Sequence, residues 1–278
     1  MIAPAEPSGA AALAPADFAE ISRVVAEVAG IQLRDGKQGL VQARLARRLR
    51  EVGAASFREY LAGVRADASR RELAHMVDLL TTNKTSFFRE PAHFDLLRER
   101  VVPEFGHAPG GLRLWSAGCS SGEEPYTLAM VLRDALPAPA FAAARVLATD
   151  ISARVLARAR AGAYADDQVA DVPPELLRRH FARDAAGRGW TAADAIRAPI
   201  HFAPLNLMGP WPMAGPFHAI WCRNVMIYFD KPTQAALVAR FHALLAPGGY
   251  LFVGHSESLS AVDHALAYVQ PAAYRKAA

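Results

Sequence analysis

The 278 residues carry 52% hydrophobic and 21% charged side chains with a net charge of +4, ordinary globular material long enough for two domains of unequal size. Two distant cysteines, Cys119 and Cys222, form no Cys-x-x-Cys pair, and the nine histidines include no His-x-His or His-Glu-x-x-His. A disulfide framework and a metal site are therefore not expected. No apolar run approaches the ~20 residues that span a bilayer, and Met1–Ala16 has no Lys or Arg ahead of its apolar part, so a soluble cytoplasmic chain with a flexible 1–15 tail is expected.

Asp17–Ala29 predicts a first helix, with Asp17 as N-cap, Phe18, Ile21, Val25 and Val28 at helical spacing, and Gly30 as its stop. Lys37–Val52 predicts a second. At about 100° per residue, Val41, Leu45, Leu49 and Val52 fall within roughly 80° of one another, and Arg44, Arg47, Arg48 and Arg50 lie outside that arc. From Arg34 to Arg50 six basic residues face one acid, Asp35, an excess larger than the net charge of the whole chain. Gly53 ends this helix; Ser56–Val64 and Ser69–Leu80 predict two more. No strand-like alternation precedes residue 80, so residues 16–80 read as a small helical domain.

Thr81–Pro91 breaks the helical pattern with hydroxyl and amide residues, and residues 81–92 read as a linker. Pro91–Val102 resumes as helix. From Leu112 the chain alternates: strand Leu112–Ser116, helix Glu124–Leu136, strand Arg145–Asp150 and helix Ser152–Ala161. After an interruption come strands Ile200–Leu205 and His218–Cys222, helix Thr233–Leu245 and strand Tyr250–Gly254. Such alternation predicts a mostly parallel α/β sheet over residues 93–278. The interruption, about 162–199, exceeds one crossover and reads as an insertion with short strands. Pro247-Gly-Gly249 reads as a tight turn from the last helix into a strand, and Ala267–Arg275 as an antiparallel edge strand.

The chemistry centres on Gly118-Cys-Ser-Ser-Gly122, between a strand and a helix. Small residues let a ligand approach the backbone, and a helix N-terminus follows. A phosphate would meet Glu123 and Glu124 there, so a phosphate-free, cationic cofactor such as S-adenosylmethionine fits better. Asp150, ending the second strand, is placed to accept hydrogen bonds from ribose hydroxyls. Gly118–Gly122 also satisfies Gly-x-Ser-x-Gly, with Ser120 as nucleophile and His255 as base of a hydrolase. No oxyanion segment precedes it, and the paired carboxylates oppose an oxyanion. Arg223 and Asn224 end a later strand without the Asp/Asn-Pro-Pro or Pro-Cys signatures of nucleic-acid base methyltransferases, which disfavours a nucleic-acid substrate.

With these residues assembled, the chain resembles the CheR-type chemotaxis receptor methyltransferases. The matching runs are Thr81–Arg89, Ser116–Tyr126, Ala148–Ile151, Cys222–Asp230 and Gly254–Glu257, in the family's order. The resemblance implies an all-α domain followed by a Rossmann-like class I methyltransferase sheet with a small β-rich insertion. It implies protein-glutamate O-methylation from S-adenosylmethionine, giving S-adenosylhomocysteine. Asn83, Thr85 and Arg89 would close the cofactor pocket. Gly118, one of Glu123 and Glu124 (Glu124 favoured), and Asp150 would line it, with Asn206 and Leu207 flanking adenine. Arg89, Arg223, Asn224 and Tyr228 would stand at the methyl-transfer edge, with Arg89, Arg223 and Tyr228 catalytic. The Arg44, Arg47, Arg48 and Arg50 face would meet the acidic cytoplasmic domain of a receptor, and the enzyme would act as a monomer without membrane insertion. A cofactor-binding signalling protein that has lost activity is the other reading; the intact site residues argue against it.

Overall fold

The computed structural model describes residues 12–184 and 187–278; most of the expected 1–15 tail lies outside them. The chain divides into two units between Thr82 and Asn83. The first holds α1 (Pro15–Ala29), α2 (Gln38–Val52), α3 (Phe57–Ala66) and α4 (Arg71–Leu80). Each buries one stripe: Ile21 and Val25, Val41 and Leu45, Phe57 and Leu61, Met76 and Val77. Gly30 and Gly53 end α1 and α2 at φ +72° and +73°, the left-handed conformation that costs a glycine least. Ser56 caps α3 by accepting the Glu59 N–H at 3.2 Å. Asp17 does not cap α1; Pro15 starts the helix one turn early and Asp17 sits inside its first turn. Val52, expected on the apolar stripe, is exposed at the C-terminal end of α2.

The second unit opens on a continuous helical stretch, α5 (Ala92–Leu96) and α6 (Val102–Phe105) joined by the π-type turn Leu97–Val101. There follow β1 (Arg113–Ala117), α7 (Glu123–Ala135), α8 (Ala138–Ala143), β2 (Arg145–Asp150) and α9 (Ala153–Ala161). Next come β3 (Ala163–Ala165), α10 (Pro174–His180), β4 (Phe181–Arg183), β5 (Gly189–Ala192) and α11 (Asp194–Arg197). The chain closes with β6 (Ile200–Pro204), β7 (Phe217–Cys222), α12 (Lys231–Leu244), β8 (Leu245–Val253), β9 (Leu266–Gln270) and β10 (Ala273–Lys276). The main sheet runs β6-β2-β1-β7-β8-β10-β9. The first five are parallel, while β10 runs antiparallel to β8 and β9.

Chain order runs outward from β1 through β2 to β6, then returns to β7 and runs the other way. The reversal lies between β1 and β7, and ligands of open parallel sheets sit at the strand carboxyl ends beside such a reversal. All six residues of β7 are buried, as expected for a parallel strand covered on both faces. Trp221 stacks on Phe252 of β8 with ring centroids 4.3 Å apart.

Two expectations at the chain's end change. Pro247–Gly249 is no turn before a strand: β8 already begins at Leu245, and these residues form a bulge where the β7 register shifts, with Gly248 at φ +72°. The expected single edge strand is a hairpin, β9 and β10, turning at Ala272 with φ +61°. The insertion is a separate antiparallel sheet of order β3-β5-β4. Phe87, from the segment preceding α5, is fully buried against it, edge-on to Tyr164 (4.9 Å) and Phe181 (5.6 Å).

Candidate functional site

The loop after β1 is tied to β2 by its backbone: the N–H groups of Gly118 and Cys119 both donate to the Thr149 carbonyl, at 2.8 and 2.9 Å. Gly118 is at φ +101°, and a Cβ there would lie 2.4 Å from Val225 Cγ2. The loop therefore approaches the segment after β7 as closely as the backbone allows. Ser120 adopts φ +49°; its N–H donates to Asp150 Oδ2 at 2.9 Å and its hydroxyl to the Asn83 carbonyl at 3.0 Å. Asp150 is buried and also accepts the Ser152 N–H on Oδ1 at 2.9 Å. One carboxylate thus fixes both the loop and the start of α9. Because the Ser120 proton is given to a carbonyl and not to His255, the nucleophile-elbow reading has no base to run on.

The paired glutamates part company at the start of α7. Glu123 turns back on its own loop and accepts the Ser121 hydroxyl at 2.8 and 3.0 Å. Glu124 turns toward the strand ends. It accepts Ser116 Oγ at 2.7 Å and Arg223 Nη1 at 3.0 Å. Burial pushes both carboxyls up from the usual range, and Arg223 opposes the shift at Glu124. Two carboxylates at a helix N-terminus already answer its dipole, which leaves a poor cradle for a phosphate.

Arg223 does not stand free at the edge. Its side chain is 3% exposed, and its guanidinium donates to Glu124, to Glu90 Oε2 (3.1 and 3.2 Å) and to the Arg89 carbonyl, with the Phe94 ring beneath it. Its three nitrogens are spoken for, so it braces Glu90 and Glu124 and has no fork left for a substrate carboxylate. That changes the role expected for it. Arg89 is half-buried and donates to the Lys84 carbonyl at 2.9 Å, curling the 83–90 segment on itself; Thr85 is half-buried in the same segment.

Asn224 follows at φ +58°, and Tyr228 closes a short turn, Met226–Tyr228. The buried Glu257 carboxylate accepts the N–H groups of Asn224 (2.6 Å), Ile227 (3.0 Å) and Gly254 (2.5 Å). Past β6, Asn206 Oδ1 accepts the Met208 N–H at 2.9 Å. Arg240, stacked on Trp211, donates to the Leu207 carbonyl at 2.6 Å. The sheet thus brings Gly118, Glu124, Asp150, Asn83, Arg223 and Asn224 to one set of strand ends.

Glu90, Glu257 and Phe87 were not singled out from sequence. Glu257 ends one of the family-like runs and Glu90 directly follows another. An acid or aromatic inside or just beyond such a run is the signal available. Glu90, His93 and His255 form the one cluster of metal-ligand type among the described residues. With Glu90 already paired to a guanidinium, a divalent ion there would face a fixed positive charge.

The arginine face of α2 divides in two. Arg44 donates to the carbonyls of Leu80 (2.7 Å) and Thr81 (2.8 Å), closing the C-terminal end of α4. Arg48 grips Glu72 with two nitrogens at 2.9 and 2.5 Å, and Tyr60 donates to the same carboxylate at 2.8 Å. These two arginines belong to the fold of the helical unit, a correction to their expected place on a docking face. Arg47, paired to Glu51, and Arg50 are exposed.

Residues 16–81 match the CheR methyltransferase all-alpha domain, and residues 83–274 the CheR methyltransferase SAM binding domain. A chemotaxis protein methyltransferase of Klebsiella aerogenes is 42% identical over 254 residues, covering 90% of this chain and 86% of that protein. The one from Escherichia coli is 41% identical over 91% of this chain and 87% of that protein. Chemotaxis protein methyltransferase 2 of Pseudomonas aeruginosa is 39% identical over 94% and 93%. With its all-α unit followed by a parallel sheet that gathers carboxylates at its point of reversal, this chain belongs to the CheR methyltransferase family.

Proposed function

We propose that the chain is an S-adenosylmethionine-dependent protein-glutamate O-methyltransferase acting on the cytoplasmic domains of chemotaxis receptors. The observation that carries the reading is the donor set at the strand ends. Glu124 and Asp150 present carboxylates where a phosphate cofactor would need N–H groups and cations, and S-adenosylmethionine offers an ammonium, a sulfonium and ribose hydroxyls. Asp150 would accept hydrogen bonds from the ribose hydroxyls. Glu124 would hold the cationic end, and Gly118, Asn206, Leu207 and Asn224 would line the rest. Asn83, Thr85 and Arg89 would close the pocket from the preceding segment. S-adenosylmethionine, when bound, supplies a methyl group on a sulfonium that leaves without protonation.

The chain's own task is then orientation. A substrate glutamate with an ordinary pKa of about 4.3 is ionised at neutral pH, so no general base is needed. Holding its carboxylate in line with the methyl group is worth roughly 7–11 kcal/mol. Arg89 and Tyr228 do the holding. Arg223 acts one step back, neutralising Glu90 and keeping Glu124 in place. On the helical unit, the exposed Arg47 and Arg50, with Arg34 and Lys37, offer a cationic face to acidic receptor helices. The enzyme works as a cytoplasmic monomer and not on nucleic acid.

The test is incubation with tritiated S-adenosylmethionine and receptor cytoplasmic domains. Base-labile methyl ester is expected, and is lost in Asp150→Ala. Label that is base-stable, or absent with every receptor domain, refutes the reading.

A further inference from the structure

The Asn224–Tyr228 segment leaves β7 through a left-handed residue and a single turn, too short to hold its own shape. Two side chains hold it: Gln234 Nε2 donates to the carbonyls of Met226 (2.8 Å) and Phe229 (3.1 Å), and Glu257, farther along the chain, takes its N–H groups. Glu257 Oε2 accepts the N–H groups of both Asn224 and Gly254, and Oε1 accepts that of Ile227. The Gly254 N–H lies just past the end of β8, so one carboxylate joins the strand end to the turn. The approach is close. A Cβ on Gly254 would lie 2.4 Å from Asn224 Nδ2 and 2.8 Å from Glu257 Oε2. Burial raises the Glu257 carboxyl, and the backbone N–H groups act against that rise.

Buried acids normally pair with a cation; this one serves backbone donors, two from the turn and one from the end of β8. A turn held this way has one position, because moving it would strand N–H groups and a carboxylate together.

We propose that Glu257 is a positioning residue for methyl transfer. Its carboxylate fixes the 224–228 turn, and so sets where Tyr228 stands relative to the strand ends of β1 and β7. The proposal rests on the role given above to Tyr228 and goes beyond it by naming what places that residue.

The experiment compares kcat and KM for a receptor cytoplasmic domain in wild type, Glu257→Gln, Tyr228→Phe and the double variant, each checked for folding by circular dichroism. Glutamine keeps the volume and one acceptor but turns an amide toward the second set of N–H groups. Glu257→Gln is expected to lower kcat by about tenfold with KM within about threefold. In the Tyr228→Phe background the same change should cost no more than about twofold, because the residue it positions no longer acts. An equal loss in both backgrounds, or no loss from Glu257→Gln, overturns the positioning role while leaving that of Tyr228 intact. An unchanged kcat in Tyr228→Phe alone overturns both. If Glu257→Gln does not fold, Glu257→Asp takes its place in the cycle, since it keeps the charge and withdraws both oxygens by one methylene, and the same outcomes decide.

Discussion

His93 is fully buried beside Phe252, and burial holds its imidazole down to about 4, where an exposed histidine titrates near 6.5. Between those values the unfolded chain carries a proton that the folded chain refuses. The contribution is therefore complete above about pH 6.5 and lost as the pH falls toward 4, by about 3 kcal/mol in all. The thermal midpoint should drop more steeply between pH 7 and 4.5 in wild type than in His93→Leu, and equal drops would remove His93 from the account. At the site, Asp150→Ala should weaken S-adenosylhomocysteine binding, measured by calorimetry, by at least about tenfold, since it removes an acceptor and frees the Ser120 N–H. Tyr228→Phe should leave that binding within about twofold and lower turnover instead. Asp150 was legible from sequence because it ends a strand ahead of a helix. The two jobs of its carboxylate were not, because Ser120 reaches it only through a left-handed backbone that no residue type announces.

Helix α2 shows how far periodicity carries. It located the apolar stripe of Val41, Leu45 and Leu49, with Arg47 and Arg50 opposite its centre and Arg44 and Arg48 on its flank. It could not name what an arginine on that flank would meet. Glu72 lies 24 positions beyond Arg48, and the α4 carbonyls 36 and 37 beyond Arg44; spacing within one helix is silent at that range. The difference is measurable. Arg44→Ala should cost about 1–2 kcal/mol in urea unfolding by exposing the end of α4. Arg50→Ala should stay within about 0.5 kcal/mol. Equal losses would mean that Arg44 closes nothing. The bulge in β8 was hidden for a related reason: Pro247-Gly-Gly249 has the composition of a turn, and only pairing with β7 makes it part of a strand.

For the whole chain, alternation of strand and helix was enough to predict a parallel sheet and a preceding helical domain. The order in which strands lie was not available, because it depends on which way each crossover returns. Charge is likewise a property of the assembled surface. With Arg44 and Arg48 committed to the fold, the cationic face proposed for a receptor is smaller than the sequence count suggests, centred on Arg47 and Arg50. The double reversal Arg47→Glu, Arg50→Glu should raise KM for an acidic receptor domain several-fold and flatten its dependence on salt. An unchanged KM at low ionic strength would assign recognition elsewhere. The seating of Phe87 between Tyr164 and Phe181 bears on how such enzymes can be recombined. The β3-β5-β4 sheet is an insertion and invites exchange between relatives as a cassette, yet its core is completed by an aromatic ring supplied some 75 residues before its first strand. A graft cut at 162 and 199 would leave that ring without its socket and the donor sheet without its plug. The transferable module is discontinuous, and position 87 has to travel with it.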